Sequence, residues 1–517
     1  MIRSILTVSM GTLASRLLGF ARDAMLAALL GAGPVADAFL VAFQLVNVVR
    51  RLLTEGALNA ALVPAYLRAR QADGVAAAAF AGRVLGTVSA LLVVVAAIFS
   101  LAMPLVISAL APGFIGRETL QLAVDDSRLM LPYLAFAGPV AVMMGLLNAQ
   151  SRFALTAFAP VLFNIALIAV MLALLVWRQD AATAALVTAA TVGIAGLLQL
   201  LILVLPGGSL ATPPRISFDP EMRGFFRKAI PGMIANSGPQ LLVVAGAIIA
   251  SASPSAVSWL YFANRLIELP LGIVGVAMGT VLVPELTRAL RGNDPMAMMH
   301  AESRGLELAV GLALPATLGL IVLSEPVVRM LFEHGAFTAA DTLETSHALM
   351  LLAFALPAHV VFKAMSPAFF AREDTLTPLW AVLKGFAVAI VSAVVLGRLY
   401  GAGGIAASIA MGAWSSAFAL IRGGAATFGF AIDAAARRRL PRIVLAALAM
   451  GGFLWLKAHF VLSWAADAHG VAQAALLGIL MAGGIVVYGL LLALFGVVNW
   501  ADAIVAVRQI SPRDLRQ

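Results

Sequence analysis

Fourteen apolar stretches, each long enough to cross a bilayer, govern what this chain can fold into. A hydrocarbon core of about 30 Å calls for roughly 20 apolar residues of helix. Read this way, the chain offers helices at about 4–30, 35–66, 80–110, 126–149, 155–177, 182–205, 225–251, 256–288, 303–331, 341–370, 378–399, 404–429, 441–463 and 471–505. Several are longer than a span needs, so tilt, kinks or protrusion are expected. Charged residues make up only 11% of the chain, against about 25% in soluble domains. The fold class is therefore an all-α polytopic membrane protein, with no cleavable signal segment expected before its first helix.

Charge inside those helices is the second constraint. Arg16, Arg22 and Asp23 lie in the first, Asp37, Arg50, Arg51 and Glu55 in the second, and Arg265 and Glu268 in the eighth. An ionised side chain at the centre of a bilayer costs roughly 2.5–3.5 kcal/mol on insertion scales and persists where it lines a wet cavity or finds a partner. At 100° per residue, Asp37, Gln44, Arg51, Glu55 and Asn59 form one polar stripe. Arg16 and Asp23 share a face, and Asn264 and Glu268 are an i,i+4 pair beside Arg265. Salt bridges between helices are the plain reading, but the number of cationic groups is high for packing alone. Arginine offers planar paired donors and stays charged, so a phosphorylated amphiphile fits better than a neutral solute. The nearby carboxylates can hold the arginines apart or equally bind a coupling cation; no other cofactor or metal is expected.

The loops give orientation. Basic residues gather after even-numbered helices, at Arg68, Arg70 and Arg83, at Arg215, Arg223, Arg227 and Lys228, and at Arg437, Arg438 and Arg439. By the positive-inside rule both termini are cytoplasmic. The same distribution explains the net charge of +9 without nucleic acid. An internal repeat also shows: Leu62-Val63-Pro64 recurs as Leu282-Val283-Pro284 and Arg152 as Arg372, both 220 residues on, and Pro104-Leu105-Val106 matches Pro326-Val327-Val328. An offset of six helices preserves membrane orientation and predicts two pseudo-symmetric six-helix lobes about a central cavity. The expected organisation is an N-lobe at 1–206, a cytoplasmic linker at 207–228, a C-lobe at 229–430, and two further helices with a cytoplasmic C-terminus at 431–517.

Other signals are structural. With no cysteine, disulfides, thiolate metal sites and cysteine nucleophiles are excluded. Gly401-Ala402-Gly403-Gly404-Ile405-Ala406 is expected to be a loop before the twelfth helix, because no Rossmann unit surrounds it. Gly82/Gly86 and Gly275/Gly279 read as close helix contacts. Asp125-Asp126 reads as a solvated helix start. Lys363 and Lys384 fit no stripe, and either snorkelling or cavity lining would account for them.

Ser15-Arg16-Leu17-Leu18-Gly19-Phe20-Ala21-Arg22-Asp23-Ala24, Ala36-Asp37-Ala38-Phe39, Asn47-Val48-Val49-Arg50-Arg51 and Glu55-Gly56-Ala57 resemble the start of the lipid II flippases, the MurJ or MviN family. Asn264-Arg265-Leu266-Ile267-Glu268-Leu269-Pro270, Gly279-Thr280-Val281-Leu282-Val283-Pro284, Gly335-Ala336-Phe337-Thr338 and Phe370-Ala371-Arg372-Glu373-Asp374-Thr375-Leu376-Thr377-Pro378 resemble that family too. The resemblance implies the multidrug/oligosaccharidyl-lipid/polysaccharide exporter fold, with the last two helices forming a groove for the lipid tail. It implies a bacterial inner-membrane transporter rather than an enzyme. Its substrate would be lipid II, the undecaprenyl-pyrophosphate-linked peptidoglycan precursor, moved from inner to outer leaflet by alternating access. Cell-wall synthesis machinery enters as a candidate partner, and the protein is expected to be a monomer among membrane lipids.

By resemblance, Arg16, Arg22, Arg50 and Arg265 are the arginines needed for function and Asp37 lines the cavity. Helical spacing favours Arg51 where the resemblance favours Arg50, and both are kept. The candidate substrate-binding set is Arg16, Arg22, Asp23, Asp37, Gln44, Asn47, Arg50, Arg51, Glu55, Asn264, Arg265 and Glu268. Gln44 stands where the family can carry Lys and Asn264 where it can carry Asp; the two changes remove opposite charges. A cation-coupled multidrug exporter, or an exporter of another polyprenyl-pyrophosphate-linked glycan, is the alternative on the same superfold.

Overall fold

The computed structural model describes residues 2–54, 57–207, 211–235, 244, 246–278, 282, 285–286, 288–289, 292, 294–370, 372, 374, 376–464 and 470–497. These are helices and their connections, with no strand among the described residues. The chain divides into two compact units, Met1–Ser258 with His334–Thr338, and Trp259–Glu333 with Ala339–Gln517.

In the first unit, α1 (Ile2–Leu30) packs along α7 (Phe153–Val176). The approach is close because a Cβ on Gly11 would lie 2.7 Å from that of Ala157. α2 (Pro34–Thr54) lies against α5 (Glu118–Met130), and α4 (Gly74–Leu110) and α8 (Ala181–Gly207) both flank α6 (Pro132–Ala149). α3 (Ala57–Ala72) joins α4 through Asp73, whose carboxylate accepts from the amides of Val75 at 3.0 Å and Ala76 at 3.1 Å. This is an N-cap that satisfies donors the helix leaves open. Stacked Phe39 and Phe43, with Phe80 and Tyr133, form the largest buried side chains of the core. The unit also contains α9 (Pro220–Ala235), which packs on α3.

α10 (Ala256–Ala277) starts in the first unit and continues in the second. The second unit then runs through α11 (Pro295–Val322), α12 (Ser324–Phe332), α13 (Ala339–Ala353), α14 (Ala355–Phe370), α15 (Leu376–Phe428), α16 (Ala434–Trp464) and α17 (Val471–Leu494). Its core is built largely from small residues, Ala355, Ala358, Ala381, Ala410, Ala413 and Ala417, with Phe369 and Leu420 between them. Small side chains let helix backbones approach where dispersion contacts and not hydrophobic exclusion drive packing.

The boundaries differ from expectation in instructive places. Nine helical stretches among the described residues are long and apolar enough to cross a membrane, and one of them, α15, is two helices. The charge-bearing α1 and α2 are outside that set. The expected loop at Gly401–Ala406 shrinks to Gly401, whose φ of 55° and ψ of −135° break α15 in two. Gly412 meets Ala389 and the backbone of Gly385, so the two halves run back along each other as a hairpin. Only a residue without Cβ adopts that turn at little cost. Asp125-Asp126 is not a solvated start: helix α5 already begins at Glu118 and Asp126 is buried near its end. Asp125 instead accepts from Gln121 at 2.9 Å. Gly82 and Gly86 receive no helix but the extended backbone of Thr212 to Arg215. Part of the expected linker is therefore laid on α4, and the rest, from Pro220, is helical. Leu282 is described, whereas Val283, Pro284 and Gly279 lie outside the described residues.

Candidate functional site

Two clusters collect the charged residues, one in each unit. In the first, Arg22 is half-buried on α1 and its guanidinium is held on three sides. Nε and Nη2 donate to Oδ1 of the buried Asp23 at 3.0 and 2.6 Å, and Nη1 donates to Oδ1 of Asn164 at 3.2 Å. The ring of Phe43 lies 4.8 Å from Cζ, a cation–π distance. Asn164 is itself fixed, donating Nδ2 to the carbonyl of Ser15 at 3.1 Å and of Pro160 at 3.3 Å. A buried charge survives when it is paired and hydrogen-bonded on all sides. Beside the guanidinium, Leu26, Phe39, Phe43, Leu167, Met171 and Thr188 line a narrow pocket with room for about one water.

Asn164 was absent from the sequence-derived set. Its only signal is its place, a lone carboxamide within the otherwise apolar run of α7. Along α2, Arg50 donates Nε to Oδ1 of Asn47 at 3.2 Å, an i,i+3 pair. Gln44, Asn47, Arg50 and Arg51 are half-buried, while Arg16 is exposed. Glu55 lies outside the described residues.

Asp37 has a different duty. Its buried carboxylate accepts from the amide of Ser255 at 2.8 Å, the amide of Ser258 at 2.9 Å and Oγ of Ser258 at 2.5 Å. It thus caps the first turn of α10 from more than 200 residues away, where open amides and the helix dipole favour negative charge. Ser255 takes φ of 65°, a left-handed conformation that the cap holds in place. Asp37 in this way holds the start of α10 within the first unit.

In that second cluster, Arg265 donates Nη1 to Oε2 of Glu268 at 2.8 Å, with both side chains about a quarter exposed or less. Asn264 is half-buried beside them. Lys363 of α14 runs its ammonium over Gly275, where a side chain would block it. This places the Lys363 ammonium against the helix that carries Arg265, two turns beyond Glu268. Lys384 is exposed on α15. Among the described residues, no three His, Asp or Glu side chains are grouped to hold a metal ion. Both clusters are arginine–carboxylate pairs, suited to recognising an anion that competes with the carboxylate.

The chain matches the family model described as Lipid II flippase MurJ over residues 26–470. It is 38% identical over 462 residues to the probable lipid II flippase MurJ of Rhizobium meliloti, covering 88% of this chain and 86% of that protein. It is 33% identical over 432 residues to the lipid II flippase MurJ of Burkholderia cenocepacia, covering 81% and 83%. Among solved structures, the inward closed conformation of lipid II flippase MurJ superposes with a TM-score of 0.79 at 23% identity, over 96% of this chain and all of that one. An inward-facing MATE family multidrug resistance transporter gives 0.64 at 15% identity, over 85% of this chain and 98% of that one. The structural likenesses speak for the fold; the family match and the sequence relatives speak for kinship. On that kinship, this multi-pass membrane protein belongs to the lipid II flippase MurJ family.

Proposed function

We propose that this chain moves lipid II from the inner to the outer leaflet of the bacterial cytoplasmic membrane by alternating access. The observation that carries the reading is the family match across residues 26–470. The arginines supply the chemistry: a pyrophosphate offers several acceptor oxygens to Arg16, Arg22, Arg50 or Arg51, and Arg265, while Asn47, Gln44 and Asn264 add neutral contacts. Asp23 and Glu268 hold Arg22 and Arg265 in orientation until substrate competes for them. Asp37 contributes by fixing the start of α10.

The same reading carries fourteen spans, lobes at 1–206 and 229–430 joined at 207–228, and two last helices beside the polyprenyl tail. It also carries cytoplasmic termini, a monomer, and work with cell-wall synthesis machinery. Directionality requires different affinities in the two access states, with a coupling cation or the membrane potential acting on buried charge as the drive. A drug exporter of the same superfold is not favoured, since the MATE likeness is distant and the described clusters are rich in arginine.

The test is reconstitution with lipid II and, separately, a neutral lipid-linked sugar. Transport of lipid II in preference to the neutral lipid supports the reading. Unchanged lipid II movement by both Arg22→Ala and Arg265→Ala, in well-folded protein, overturns the role given to the arginines.

A further inference from the structure

The segment between α8 and α9 is built as a strap. Thr212 donates its amide to the carbonyl of Ala78 at 3.0 Å, and Arg215 donates to that of Gly82 at 3.1 Å. Ser217 donates to Oγ1 of Thr87 at 3.1 Å, and that hydroxyl donates to the Ser217 carbonyl at 3.2 Å. These anchors climb α4 in step with the strap. Nine helical residues rise about 14 Å at ~1.5 Å each, and five extended residues span about 16 Å. The backbone lies so close that a Cβ on Gly86 would stand 2.5 Å from the amide nitrogen of Arg215. At its end Asp219 caps α9, accepting from the amide of Met222 at 2.8 Å, and Arg83 pairs with both Asp219 and Glu221.

A segment so firmly seated would be expected to bury its apolar side chains, and this one does not. Ile216 is 63% exposed and Phe218 69% exposed, alternate residues of an extended stretch. They stand level with Thr87, one turn below Leu91, where the exposed apolar face of α4 begins and continues through Ile98 to Leu105. On α9, Met222, Phe225 and Ala229 are buried, whereas Arg223, Arg227 and Ile230 share the exposed face. Arg215 is exposed as well. Arg83 pairs with both acidic neighbours, Asp219 and Glu221, and with Arg215, Arg223 and Arg227 the surface keeps an excess of positive charge. A basic helix face flanked by exposed apolar side chains is the pattern of an element lying in a bilayer interface.

We propose that this strap and α9 anchor the protein to an anionic leaflet. Ile216 and Phe218 enter the acyl-chain boundary, continuing the apolar face of α4, while Arg215, Arg223 and Arg227 take headgroup phosphates. The inference rests on the membrane reading but not on lipid II transport. Either can fail without the other, because the test below reads position and not flux.

Phe218→Trp in the full-length protein is reconstituted into vesicles of acyl-brominated phosphatidylcholine, with and without phosphatidylglycerol, and the emission of the parent with its seven tryptophans is subtracted. The added emission should be quenched by the lipid bromines and resist aqueous iodide. Phosphatidylglycerol should deepen the quenching, and the double change Arg223→Glu/Arg227→Glu should abolish that gain. Emission quenched by iodide and not by bromine overturns the proposal. So does emission that neither quencher reaches, which would mean that protein, such as a second copy of the chain, covers the face. If Phe218→Trp does not fold, Ile216→Trp carries the same expectations.

Discussion

Removing the Asp37 carboxylate should loosen the first turn of α10 by an amount the hydrogen bonds allow one to state. Three donors converge on it, the amides of Ser255 and Ser258 and the Ser258 hydroxyl. Orphaning a buried donor costs roughly 1–3 kcal/mol. Asp37→Ala therefore destabilises the docked turn by on the order of 3 kcal/mol, about a hundredfold in the opening equilibrium. Ser255 also loses the partner that offsets its φ of 65°. Asp37→Asn keeps one acceptor for Ser258 but turns an amide donor toward the amide of Ser255, so roughly tenfold is expected. The chain has no cysteine, so Val257→Cys, a buried position in that turn, gives a clean reporter. Maleimide labelling of folded protein, at reagent levels where opening sets the rate, should rise in the order parent, Asn, Ala. Equal labelling in all three would show that the turn is held by something other than this carboxylate, and the reasoning would fall.

Other consequences are as direct. Gly335→Ala places a Cβ against the Ala28 carbonyl at φ of 60°, and the left-handed conformation alone costs about 1–2 kcal/mol. Amide exchange at Ala336, which donates to Ala28 at 2.8 Å, should quicken by tenfold or so. Arg372 stacks 3.8 Å over Phe428 and pairs at 3.3 Å with Glu302, which is almost fully buried. Arg372→Met should lower thermal stability by about 3–5 kcal/mol, and adding Glu302→Gln should recover most of it. The amide of Met222, the Ser217 hydroxyl and Arg83 hold the exposed Asp219 carboxyl below its ordinary value of 3.8. Its stabilising contribution is thus fully present above that value and is lost as pH falls below it, through the depressed folded-state value. The emission of Phe218→Trp should stay constant from neutral pH downward and change below about pH 4.

Part of the fold is legible because hydrocarbon imposes length and composition: α1, α7 and α8 begin and end within two residues of the apolar stretches that predict them. What periodicity cannot supply is the identity of a partner. The spacing of Gly82 and Gly86 announces that some backbone comes close, but the missing Cβ admits a helix or an extended strap equally, and Thr212 and Arg215 lie some 130 residues away. The polar stripe of α2 placed Asp37 on a face without naming Ser255 and Ser258 as its donors. Asn164 was passed over because one carboxamide in an apolar helix makes no pattern, although it receives a donor of Arg22.

The partners change what the arginines mean. From the sequence, Asp23 and Glu268 are among the carboxylates that can hold the arginines; in the structure Arg22 and Arg265 each have that partner, Asp23 at 2.6 Å and Glu268 at 2.8 Å. A free guanidinium in low dielectric would bind phosphate tightly and release it poorly. A paired one exchanges one anion for another, so its net affinity is the difference between two charge-assisted contacts. Its five N–H donors also exceed the three hydrogen bonds described for Arg22, so a phosphate oxygen can engage the guanidinium before the carboxylate lets go. A carrier must release what it binds. On the proposed function, the adjacent carboxylates would share in transport with the arginines, by keeping the bound state shallow enough to leave.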